Sequence, residues 1–87
     1  MNDRELILLA GKAAGKPGDL FYFHPLTNGG HALWLASKLE LDVYCHESGA
    51  MVCCSDIKEC INEKGSDPYA ATLRAIVLCA AEIGRKI

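Results

Sequence analysis

The residues best equipped for chemistry fall in two stretches of the chain. Cys45, His46, Cys53, Cys54 and Cys60 form a thiol and imidazole set of the kind that binds zinc. A structural zinc site takes its ligands as close pairs such as Cys-x-x-Cys, converging on a tetrahedron. Here Cys53 and Cys54 are adjacent, and adjacent strand residues point to opposite faces, so only one of them can join a given site. Cys79 brings the cysteines to five, an odd number, with no basic and apolar export signal ahead of them. The expectation is five reduced thiols packed as small hydrophobes in a cytoplasmic protein, with no metal and no cofactor.

The second stretch is His24, Thr27, Asn28, Gly29, Gly30 and His31, around a Pro-Leu-Thr turn that opens a helix. Backbone N–H groups at a helix start, flanked by two imidazoles, can receive an anion such as a phosphate or nucleotide. The same residues also serve plain capping, because Thr27 or Asn28 can accept from the first-turn N–H groups. Gly29-Gly30 follows neither the Gly-x-Gly-x-x-Gly nor the Walker spacing of a phosphate loop. A third set is aromatic: Phe21, Tyr22 and Phe23, with Trp34 and Tyr69, read as packing or as a protein interface. No nucleophile elbow, paired-carboxylate pattern or metalloprotease helix occurs. No catalytic residue is assigned, and an enzyme is not expected.

These residues need elements to hold them. Asp3 to Ala14 reads as a helix, with acids at its start, Lys12 near its end and Gly15 and Pro17-Gly18 beyond. A second helix opens at residues 27–30 and runs to about Leu39. Its clearest stripe is Leu33, Ala36 and Leu39, widened by Ala32 and Leu35, with Trp34 off the stripe. Alternation from Val43 to Cys54 suggests a hairpin turning at Ser48-Gly49, with Glu47 opposite Ala50 and Cys45 opposite Val52. That register puts Cys45 beside Cys54 on one face, and His46 with Cys53 on the other. Ile57 to Ile61 offers a third strand or a short helix. Asp67 as cap and Pro68 at the first helical position start a third helix, with Tyr69, Leu73, Ile76, Val77, Ala80 and Ile83 as its apolar stripe.

Eighty-seven residues, 51% hydrophobic and 23% charged, suit one domain with a packed core and a stake in dimerisation. A net charge of −2 without a basic run argues against nucleic acid as a partner. No apolar run approaches the ~20 residues that a membrane span needs. The fold class expected is α+β, a three-layer α-β-α sandwich with a small antiparallel sheet of 2–3 strands covered by helices.

Two segments carry a resemblance. His24-Pro25-Leu26-Thr27-Asn28-Gly29-Gly30-His31-Ala32-Leu33-Trp34-Leu35-Ala36 resembles the Asn-Pro-Leu-Thr-Asp-Asp-Gly-Asp-Ala-Leu-x-Leu-Ala signature of the phage ABA sandwich domain family. Asp67-Pro68-Tyr69-Ala70-Ala71-Thr72-Leu73-Arg74-Ala75-Ile76-Val77, continued by Ala80-Ala81-Glu82-Ile83-Gly84-Arg85, resembles the same family's C-terminal helix. The resemblance implies a helix–sheet–helix sandwich in a small phage or prophage protein. Among its departures, His24 replaces Asn, Asn28 replaces Asp and His31 replaces Asp, so an acidic site of the relatives would not carry over. The resemblance implies no biochemical activity. A phage accessory protein of this size is expected to bind a host or phage protein, with a host defence system as one target, and to form a homodimer.

Overall fold

Side-chain caps set where each helix begins. In the computed structural model, which describes residues 2–15, 24–55, 58–65 and 67–86, Asn2 opens α1 (Asp3–Ala13) by accepting from the Glu5 amide at 2.8 Å. Asn28 opens α2 (Gly29–Lys38) by accepting from the His31 amide at 3.2 Å. Asp67 opens α3 (Pro68–Arg85) by accepting from the Tyr69 and Ala70 amides at 3.1 and 3.3 Å. Each contact satisfies a first-turn donor that has no partner within its helix.

Between α2 and α3 run three strands, β1 (Asp42–His46), β2 (Gly49–Cys54) and β3 (Glu59–Lys64), paired antiparallel in the order β1-β2-β3. The hairpin turns at Glu47-Ser48, not at Ser48-Gly49, so His46 faces Gly49 and Cys45 faces Ala50. Gly49 explains the difference. Its φ is +151°, and a Cβ on it would run into the Glu63 carbonyl oxygen of β3, so it serves as the first residue of a tightly apposed strand. The register is thus displaced by two residues from the expected one, which preserves every side chain's face and changes every neighbour. β3 begins at Glu59 and continues beyond Ile61 to Lys64, while Ile57 lies outside the described residues.

The fold is α+β, a small antiparallel sheet covered by helices. Ala50, Val52 and Cys54 turn into the core, where α3 lies along β2 and β3. Ala75, Ile76, Val77, Cys79, Ala80 and Ala81 of α3 are all buried, and at 100° per residue they cover about two thirds of its circumference. The remaining third carries Arg74, Glu82 and Arg85, so the packed arc is broad but not closed. Within that arc the strands take one side of α3, and α1 and α2 pack on the rest. The helices therefore stack on one face of the sheet. Its other face shows Asp42, Tyr44, His46, Cys60 and Asn62 exposed, with no described helix over them.

The stripe of α2 also differs from expectation. Ala32, Leu35 and Ala36 are buried, whereas Leu33 is 67% exposed and Tyr69, placed on the α3 stripe, is 61% exposed. Both sit beside one feature.

Candidate functional site

That feature is an apolar groove of about 410 Å³ where α2 and α3 diverge above β1. Ala32, Leu33 and Ala36 form one wall, Tyr69, Leu73 and Ile76 the other, and Val43 and Cys45 the floor. The divergence follows from composition: small alanines on α2 and a glycine at its start leave space that no larger described side chain fills. The Tyr69 hydroxyl hangs over Gly29, close enough that a Cβ there would strike it. The lining offers a phenol, the Thr72 hydroxyl and the Cys45 thiol as its polar side-chain groups. Thr72 already donates to the Pro68 carbonyl at 2.7 Å and lies 3.7 Å from the Cys45 sulfur. Among the described residues, no carboxylate, imidazole or cation lines it. Such a surface recognises apolar shape, not charge.

The His24–His31 turn is brought together by the structure, and four of its backbone amides are committed. The His31 amide goes to Asn28 Oδ1, and the His24 amide donates to His31 Nδ1 at 2.8 Å. Amides of Thr27 and Asn28 donate back to the His24 carbonyl at 3.1 and 2.7 Å. A ring nitrogen that accepts from a backbone amide presents its lone pair inward, so the cluster reads as a folded cap. Gly30 is exposed beside it, and Gly29 contributes to the groove.

The proposed cysteine set does not come together. Cys53 and Cys60 face each other across β2 and β3 and are joined as a disulfide, their Cα atoms 4.0 Å apart. That pairing corrects the reading of five reduced thiols. Cys45, Cys54 and Cys79 remain thiols, the first exposed and the other two buried. Cys45 lies opposite Ala50, four positions along β2 from Cys54, and His46 is equally far from the position opposite Cys53. Among the described residues, no three His, Cys, Asp or Glu side chains converge as a metal centre requires. The hairpin register decides this. In the expected register the same residues would have been diagonal neighbours.

Of the aromatic set, Phe21, Tyr22 and Phe23 lie outside the described residues. Trp34 is 37% exposed on the side of α2 away from the buried stripe, and Tyr69 edges the groove. Sequence reasoning missed Leu33, Val43 and Cys45 as members of one site. The available signal was an apolar residue on each of two elements beyond what their buried stripes require.

Burial, reinforced by the nearby Cys54 and by Glu59 and Glu82, pushes the Cys79 thiol up to about 11. In the unfolded chain the thiol ionises near its ordinary value, so above it the unfolded state holds fewer protons and stability falls as pH rises. The contribution is intact below about pH 9 and declines toward pH 11, by about 3 kcal/mol in all. Denaturant unfolding at pH 8 and pH 10.5 checks this, with Cys79→Ala expected to flatten the profile. Lys86, raised by its 2.7 Å hydrogen bond to Glu59, holds its charge to higher pH than an ordinary lysine and is present in both proteins.

No described helix is long and apolar enough to cross a membrane. Compared with protein-family models, curated proteins and solved structures, the chain matches none.

Proposed function

We propose that this chain is a non-catalytic interaction protein that holds an apolar segment of a protein partner in the groove between α2 and α3. The observation that carries the reading is the exposed apolar lining: Leu33, Tyr69 and Val43 are 67%, 61% and 37% exposed in one concavity. Small monomeric domains rarely leave such residues clustered unless something binds there. The phage or prophage kinship implied by the two motif segments adds the setting. The partner is then a host or phage protein in the bacterial cytoplasm, and a host defence protein is the target class that the setting suggests. In that reducing compartment the Cys53–Cys60 bond, with Cys60 exposed, is open to attack by cellular thiols.

A small-molecule reading shifts from the α2 start to the groove. The volume of about 410 Å³ falls in the range of ligand pockets, and its lining selects an apolar ligand in place of an anion.

Affinity capture from the bacterial host with the natural protein and with Leu33→Asp separates these. The substitution lies on an exposed position and changes stability by no more than about 0.5 kcal/mol. A protein captured by the natural chain and lost with Leu33→Asp is the expected result. Capture indifferent to Leu33→Asp, or a metabolite that raises the melting temperature where no protein is captured, overturns it.

A further inference from the structure

β1 is the strand that the fold leaves open. All five of its residues are exposed, it lies at one edge of the sheet, and no described residue offers a backbone partner to that edge. The opposite edge is guarded. Glu59 of β3 pairs with Lys86 at 2.7 Å, Glu63 pairs with Arg74 at 3.2 Å, and Lys64 adds a further charge. Charged edges resist pairing with other strands, whereas Asp42, Val43, Tyr44, Cys45 and His46 bear a single carboxylate.

The hydrogen-bonding phase of that edge can be derived. Antiparallel partners alternate between hydrogen-bonded pairs and closer, non-hydrogen-bonded ones. Cys53 and Cys60, with Cα atoms 4.0 Å apart, are of the closer kind, so the backbone groups of Cys53 turn from β3 toward Asp42. Alternation then turns Tyr44 and His46 toward β2 as well, and Val43 and Cys45 outward. The two-residue turn agrees, since its closing pair, His46 and Gly49, is hydrogen-bonded in such hairpins.

We propose that β1 pairs antiparallel with β1 of a second copy about a two-fold axis at Tyr44, joining two three-stranded sheets into one continuous sheet. In that register Val43 faces the partner's Cys45, and both present outward N–H and C=O groups to each other. Asp42 faces the partner's His46 on each side of the axis, a carboxylate against an imidazole. Nδ1 of His46 lies 3.3 Å from Ser48 Oγ, so Nε2 is the nitrogen directed to the partner. Tyr44 meets the partner's Tyr44 as a close, non-hydrogen-bonded aromatic pair. A slip of two residues either way keeps the phase but separates Asp42 from His46. The segment is therefore complementary to itself in a single register, as a two-fold interface requires.

The axis stands perpendicular to the joined sheet, so both helix layers lie on the same side. Strand pairing alone covers less than the roughly 1,600 Å² typical of a stable association. Edge pairing of this extent makes a weak association, so the dimer is expected to fill at high protein concentration. This dimer goes beyond the groove reading and needs no foreign protein, so purified protein tests it separately. A monomer would leave partner capture standing, and failed capture would leave the dimer standing.

Sedimentation equilibrium of the purified chain is expected to show a dimer. Asp42→Lys should weaken it about tenfold or more, and Asp42→Lys combined with His46→Asp should restore it. Both sites are exposed, so circular dichroism should be unchanged. Mild oxidation of Tyr44→Cys should give a covalent dimer that peptide mapping places at the introduced thiols. The natural Cys45 should not cross-link, because it stands two residues out of register with the partner's Cys45. A monomer at several hundred micromolar overturns the proposal, and so does a dimer indifferent to the charge exchange or without the Tyr44→Cys cross-link.

Discussion

Leu35→Ala is expected to destabilise the fold by about 3 kcal/mol, while Leu33→Ala, two positions away on the same helix, changes stability by about 0.5 kcal/mol or less. Leu35 is 0% exposed and is one of the largest side chains buried completely. The other buried residues of α2 are Ala32 and Ala36, so the helix is held chiefly by this one large apolar group. Truncation removes its transfer free energy and leaves a cavity that α2, anchored by little else, can close only by moving. A domain of this size has a net stability of roughly 4–13 kcal/mol, so the loss is a large share of it. The melting temperature should fall by about 12–24 °C. Urea unfolding of both variants checks the pair. Equal losses at Leu33 and Leu35 would mean that α2 is rotated from its described orientation and that the groove has another wall. Because α2 forms that wall, Leu35→Ala should also weaken partner capture, through displacement of Leu33 and not through a lost contact.

The stripe read from sequence, Leu33, Ala36 and Leu39, anticipates the opposite order for these two substitutions. The reason is physical. Ala32, Leu33, Leu35 and Ala36 span more than one helical face, and periodicity alone cannot say which part of a broad apolar arc is covered. Helix starts were legible because their causes are local: Asn28 and Asp67 reach amides only two or three residues ahead. The hairpin was legible in outline. Which residues share a face was correct because a two-residue displacement preserves the pleat, but the turn depended on Gly49 meeting Glu63, a contact with a strand much later in the chain. The same displacement separates Cys45 from Cys54 and His46 from Cys53. The Cys53–Cys60 pairing was hidden for a related reason, since it requires the register of β2 against β3. The groove was least legible. It arises from the angle between two helices, which no single segment encodes.

Gly84→Ala separates local propensity from packing and should come out against propensity. Alanine in place of a helical glycine stabilises a helix by up to about 1 kcal/mol, so α3 considered alone should gain. Gly84 is where α1 crosses, and a Cβ there would strike the Leu9 carbonyl oxygen. That oxygen belongs to the α1 backbone, so no rotamer change relieves the contact. The whole of α1 must move away from α3. Leu6 and Ala10 of α1 are buried in the core shared with Ile76, Val77 and Ala80, so the movement opens well-packed surface along the length of the crossing. The Arg74 bond to Asp3, 3.4 Å long and exposed at both ends, adds little restraint. Overpacking of this kind costs about 1–3 kcal/mol, and the expected balance is a net loss of about 2 kcal/mol. Thermal unfolding measures it as a fall of about 8–16 °C, with a larger fall for Gly84→Val. A rise in melting temperature for Gly84→Ala would show that the helices do not approach as described, and the packing assigned to α1 would have to be abandoned.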